Sequence, residues 1–214
     1  LVGSGVVLMK VVDWLKKIVA DVQPVVDTGL QQGVDLEAMR NFGGGPLHIP
    51  IRVLCELYGH PLKATVYRYD QKMFLVTSIQ WKDGLSCEFG EPSVLPIDVS
   101  NDDLGRTIGE HLLRHESSDP ILGGSPRNMK YSIKKNWPIF VASKAKSMTS
   151  FESRSFQVTI EAHLHGLRLD ARPRKTLHPS ITVHAEVRPE LEDLGAAVRR
   201  VLRGADALRD AGVV

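Results

Sequence analysis

The chain comes close to repeating itself, and that repetition limits what it can fold into. Phe74-Leu75-Val76-Thr77 is followed by Gly84-Leu85 and then by Asp103-Leu104-Gly105. Phe156-Gln157-Val158-Thr159 is followed by Gly166-Leu167 and then by Asp193-Leu194-Gly195. The interval from phenylalanine to glycine is the same in both, and the second stretch is eight residues longer before its Asp-Leu-Gly, around Pro173 to Pro179. Shared strand, turn and helix-start residues predict a doubled scaffold. They define an architecture more closely than a chemistry.

Local patterns fill in the units. In the first, 64–68, 74–81, 85–89 and 93–99 are β-type runs, with Lys82-Asp83-Gly84 as a hairpin turn. Ser100 with Asp103 three residues on starts a helix, striped by Leu104, Ile108, His111 and Leu112. In the second, 156–163, 167–171 and 180–187 are strands, and Trp137-Pro138-Ile139-Phe140-Val141 is expected as a strand that begins the unit. Pro189 to Asp193 opens the last helix, with Leu194, Ala197, Val198, Val201, Leu202 and Ala205 on one face and Arg199, Arg200 and Arg203 on the other. Upstream, 11–22 has helical spacing and ends at Pro24, and 35–40 is a short helix. Gly43-Gly44-Gly45-Pro46 is a turn, and 50–57 fits either a helix or a short strand. The expected fold is α+β: a mainly antiparallel sheet from two strand-strand-strand-helix units sharing a core, after an N-terminal helical segment. The expected division is residues 1–60, packed on the same domain, and 61–214, with units at 61–119 and 130–206.

At 214 residues the chain can bury one good core or two small ones. It contains no apolar run of about 18 residues, so no membrane helix is expected. The start has no basic segment and too short an apolar run for a signal peptide, and Met9 is a candidate native start. Two cysteines, Cys55 and Cys87, stand in no metal or redox spacing, which predicts reduced thiols and a cytoplasmic location.

Net charge is only +2, but it is unevenly distributed. Residues 83–119 hold nine acids against Arg106 and Arg114, whereas 120–151 hold six bases and no acid. Blocks of opposite sign suit a surface that steers a charged partner. The basic stretch 127–146 also contains Tyr131, Trp137 and Phe140, the composition of a single-strand nucleic-acid binder, and this is the alternative reading.

Catalytic chemistry finds little support. His163 and His165 lie on one side of a strand end, with His178 and His184 nearby in sequence, but no cysteine or acid pair completes a metal site. They fit a hairpin tip. Cys55 and Cys87, even beside His48 or His60, lie in apolar runs that suit buried thiols. Asp98, Asp102 and Asp103 cluster where helix capping accounts for them. No cofactor motif is present and no enzyme activity is expected.

The runs Asp103 to Leu113 and Asp193 to Leu202, with Trp137-Pro138, Ser150-Phe151 and Phe156 between them, resemble the CdiI-type immunity proteins of bacterial contact-dependent growth inhibition. The resemblance spans roughly residues 60–205. It implies a non-catalytic cytoplasmic protein whose partner is the C-terminal toxin domain of a cognate CdiA protein, commonly a nuclease. A nuclease cleft that holds phosphates is basic. Glu88, Glu91, Asp98, Asp102, Asp103, Glu110 and Glu116 are therefore the expected toxin-binding residues, with charge complementarity speeding encounter.

Overall fold

The computed structural model describes residues 47–80, 86–117, 137–173, 181–185 and 191–212, all within a unit spanning Gly44–Val214. The expected helices at 11–22 and 35–40 and the turns at 43–46 and 82–84 lie outside these residues.

The architecture is α+β. In chain order the elements are α1 (His48–Tyr58), β1 (Leu62–Tyr69), β2 (Lys72–Gln80), β3 (Ser86–Pro96), α2 (Asn101–Leu113), β4 (Glu116–Ser117), α3 (Pro138–Ser143), α4 (Met148–Arg154), β5 (Phe156–His163), β6 (Gly166–Pro173), β7 (Ile181–Ala185) and α5 (Leu191–Asp210). Six strands form an antiparallel sheet in the order β3-β2-β1-β5-β6-β7, and β4 pairs in parallel with the end of β2 at Ile79 and Gln80. Each half is a meander. The two meanders join through β1 and β5, with Thr65 opposite Thr159 and Arg68 opposite Phe156.

Register separates the two faces. Ala64 and Val66 pair with Thr77 and Leu75 on β2, and with Ile160 and Val158 on β5. This face packs against α2 and α5, whose buried residues include Leu104, Ile108 and Leu112 on α2 and Leu194, Val198 and Val201 on α5. The opposite face carries Tyr67, Tyr69, Phe74 and Val76, which cluster with Ile139 of α3 and Phe151 of α4. Strand β2 is therefore buried on both sides, and its run Met73-Phe74-Leu75-Val76 is continuously apolar. Strand β5 alternates buried and half-buried residues, as a strand covered on one side does.

Trp137 to Val141 is not a strand. Pro138 occupies the first turn of α3, where a missing N–H costs nothing, and Lys144 closes the helix in a left-handed conformation. The alternation of Ile139 and Val141 imitates a strand, but it places Ile139 in the core and leaves Val141 exposed. The runs at 85–89 and 93–99 are not separate strands either. They form the single strand β3, whose register against β2 shifts between Leu75 and Thr77. The open choice at 50–57 resolves as helix α1, with Pro50 in the first turn and Gly59 capping the end at φ 70°.

The sequence repeat and the structural repetition coincide only in part. By strand order β1 corresponds to β5, yet the Phe-x-Val-Thr motifs lie on β2 and β5. Phe74 faces α3 and α4, whereas Phe156 lies on the face covered by α2 and α5. The Asp-Leu-Gly motifs do coincide, each in the first turn of the helix that follows its meander.

Candidate partner-binding surface

The two Asp-Leu-Gly helices cross at their glycines. A Cβ on Gly105 would overlap the Leu191 carbonyl, and one on Gly195 would overlap the Asn101 carbonyl. Leu191 is four residues before Gly195, and Asn101 is four before Gly105, so the contact is reciprocal. The crossing sets the acidic first turn of α2, Asp102 and Asp103, beside that of α5, Glu192 and Asp193. Asp102, Glu192 and Asp193 are exposed. Asp103 is tied locally: it accepts from Ser100 Oγ at 2.8 Å and from Arg106, and these hydrogen bonds, Ser100 first, hold its carboxyl below the usual range. Glu192 and Asp193 were not among the expected site residues, although the shared Asp-Leu-Gly motif was a signal that could have pointed to them.

The other expected acids are dispersed. Asp98 is exposed in the turn before α2, and Glu91 is exposed on β3. Glu110 lies on α2 between Arg106 at 3.9 Å and Arg114 at 4.0 Å. Glu88 lies on the opposite face of the sheet. It accepts a hydrogen bond from Trp137 Nε1 at 2.6 Å and another from the Tyr67 hydroxyl, and so braces α3 against the sheet. Glu116 is in β4, and its side chain lies outside the described residues. Asp98, Asp102, Asp103 and Glu110 therefore share the α2 side of the molecule, while Glu88 does not.

Trp137 and Phe140 belong to the aromatic layer and are not a stacking platform. Trp137 meets Tyr67 edge-on at 5.4 Å, and Phe140 meets Phe151 at 6.1 Å. Lys144 and Lys146 are exposed, and residues 127–136 lie outside the described residues.

Five of the histidines fall into three settings. His163 ends β5 with its Nε2 3.6 Å from Glu161, and His165 is in the following turn, so the two do not share a strand face. His178 and the His184 side chain lie outside the described residues. His111 joins Ser93 and Thr77 in a buried chain. The Thr77 hydroxyl donates to the His111 carbonyl at 3.2 Å, which leaves Thr77 Oγ to accept from His111 Nδ1–H at 2.9 Å. Nε2 then accepts from the Ser93 hydroxyl at 3.0 Å. Burial pushes the imidazole down to about 4, which makes it a weak base. The chain therefore acts as a hydrogen-bonded brace between β2, β3 and α2.

The third setting is a cluster at the end of α1. Tyr58 stacks on His60 at 5.7 Å, and His60 meets the fully buried His115 edge-on at 5.2 Å. Burial, with the neighbouring His60, also holds His115 down to about 4. Beside the cluster is a cavity of about 500 Å³ between the end of α1 and the β5–β6 turn. The buried Cys55 thiol lies at its edge and donates to the Ala162 carbonyl at 3.1 Å, and desolvation raises its pKa. Among the described residues no group of three or more histidine, cysteine or acidic side chains is placed to hold a metal ion. Cys87 is half-buried on β3.

No family model matches this chain. No curated protein matches it in sequence either. Solved structures do share its fold. A protein of unknown function from Neisseria meningitidis is similar with a TM-score of 0.54 at 16% identity, covering 67% of this chain and 94% of that one. A chain of a CdiA-CT/CdiI toxin and immunity complex from Yersinia pseudotuberculosis is similar with a TM-score of 0.54 at 15% identity, covering 67% of this chain and 96% of that one. At these identities the likeness concerns the fold. Among the described residues no helix is long and apolar enough to cross a membrane.

Proposed function

We propose that this chain is an immunity protein that binds and neutralises the C-terminal toxin domain of a cognate CdiA effector, without catalysis of its own. The observation that carries the reading is its fold likeness to a chain of a toxin and immunity complex, over nearly the whole of that chain. The exposed carboxylates of the α2–α5 crossing support a basic partner, and a nuclease domain with a phosphate-holding cleft is the toxin class they fit. On this reading Asp98, Asp102, Asp103 and Glu110, joined by Glu192 and Asp193, form the main contact, with Glu91 at its margin and Glu116 beyond α2. Glu88 contributes by holding α3 in place. Encounter is then fast and salt-sensitive.

Co-expression with the toxin domain encoded beside this chain tests the proposal. The expected result is restored growth of cells expressing the toxin, and co-purification of the two proteins at one-to-one stoichiometry. Growth arrest that persists, with no complex recovered, rejects it.

A further inference from the structure

The cavity at the end of α1 has a chemistry that the immunity reading does not use. Its walls include Glu56, Gly59, His60, Pro61, His163 and His165. His60 Nδ1 lies 3.1 Å from the Pro61 carbonyl. A carbonyl can only accept, so Nδ1 carries the ring proton and Nε2 is left as an acceptor. That Nε2 is buried and has no hydrogen-bond partner. A buried unpaired acceptor is costly, and a donor reaching it from the cavity would relieve it.

Two further features favour a donor that is positively charged. The cavity lies at the C-terminal end of α1, where the helix dipole is negative, and the last turn of α1 carries no basic residue. Glu56 adds a carboxylate at the rim. Its partner Arg52 lies 3.0 Å away, but both side chains are more than half exposed; so exposed a pair is worth little, and Glu56 can exchange Arg52 for an entering cation. On the other side Lys63 and Arg168 are directed to Glu161, at 3.3 Å and 3.9 Å. A guanidinium fits better than an ammonium, because its plane can stack on the rim imidazoles while its edge donates.

We propose that this cavity receives an arginine side chain of the protein partner. The inference rests on the immunity reading only for the identity of that partner. A metal ion is a poorer occupant. His115 Nδ1 accepts from the Lys63 backbone N–H at 3.2 Å, so its Nε2 carries the proton and cannot ligate.

The test has two arms. In the first, the histidine ring signals of the full chain are followed by NMR during titration with N-acetyl-arginine amide, with the neutral citrulline analogue as the control. The expected result is a saturating shift of the His60 and His163 signals with arginine alone, lost in Glu56→Lys. Equal responses to the two compounds, or no saturation, overturn the inference. In the second arm, the toxin domain is titrated with wild type, His60→Phe and Glu56→Gln. Loss of one charge-assisted hydrogen bond predicts weakening by about tenfold or more in His60→Phe, with a smaller loss in Glu56→Gln. A toxin domain that binds all three alike overturns the cavity assignment and leaves the immunity reading intact. A toxin domain that binds none of them rejects the immunity reading, and the arginine titration still decides the cavity.

Discussion

Gly105 and Gly195 hold each other's helices at backbone contact: each leaves room for the carbonyl of the residue four positions before the other. The Gly195 amide nitrogen would lie only 3.2 Å from a Cβ placed on Gly105. Helix propensity alone favours alanine over glycine by about 1 kcal/mol. Here that gain is overwhelmed, because the clash is with backbone and neither helix can yield by a rotamer change. Gly105→Ala and Gly195→Ala are each expected to lower stability by about 3 kcal/mol or more in urea unfolding. Both force the same separation, so the double variant is expected to cost clearly less than the sum. Gly109→Ala is the control. Its Cβ would meet the Leu47 side chain at 3.1 Å and the Leu191 side chain at 3.8 Å, contacts with side-chain ends and not with backbone. A neutral effect of Gly105→Ala would mean that the helices do not cross there.

Acid is expected to destabilise the fold through His111 and His115. Burial lowers both imidazoles from 6.5 to about 4, and both side chains are within the core. Between pH 6.5 and 4 the unfolded chain therefore binds more protons than the folded one. The stabilisation from keeping both rings neutral is complete above pH 6.5 and declines as pH falls through that window. Each ring can account for about 3 kcal/mol once the window is crossed. Stability measured from pH 7.5 to 4.5 should fall steeply, and His111→Gln should lose roughly half of that slope. A flat profile over this range would contradict the burial of both rings.

A charged pair ties the C-terminal part of α5 to the sheet. Arg68 of β1 donates to both carboxylate oxygens of Asp206, one at 2.6 Å, and also lies 5.0 Å from the centre of the Phe156 ring. Arg209 lies 4.0 Å from the same ring and 3.0 Å from Asp206, but it is more exposed than Arg68. Arg68→Met is expected to cost about 2 kcal/mol, the value of charged hydrogen bonds at a half-buried site. Arg209→Met should cost under about 1 kcal/mol. Amide hydrogen exchange should place the loss in Arg68→Met in the last two turns of α5. Equal costs for the two variants would remove the distinction drawn between them.

What the sequence made legible was what depends on local spacing. The stripes of α2 and α5, the Ser100 cap and the strands β1, β2, β5 and β6 follow from period and propensity. The strand order β3-β2-β1-β5-β6-β7 does not, because the pairing of β1 with β5 depends on distant residues. For the same reason Phe74 and Phe156 look equivalent in sequence and yet face opposite sides of the sheet. Helix α3 is not legible in the sequence because one and a half turns give no periodicity that outweighs Ile139 and Val141. Among the acids, Glu88 resembled its neighbours in charge, and only the fold shows it facing Trp137 and Tyr67. The cluster of Tyr58, His60 and His115 had no sequence signal at all, since β1, β2, β3 and α2 lie between its members.

Under the proposed immunity function, the acidic crossing of α2 and α5 leads to a kinetic prediction. Asp102 and Asp193 are exposed and lie outside the buried stripes of their helices, so replacing them leaves the core untouched. Exposed charges of a contact surface act mainly on the association rate and its salt dependence, while the dissociation rate follows the buried apolar contacts. Asp102→Lys with Asp193→Lys should therefore slow association with the toxin domain by about tenfold at low ionic strength. The difference should shrink as salt shortens the range of the field, to a Debye length of about 3 Å at 1 M. Dissociation and thermal stability should change little. Rates measured across a salt series distinguish the outcomes. If association keeps its wild-type rate and salt slope in the double variant, the toxin approaches by another surface, and the cavity at the end of α1 becomes the first place to look.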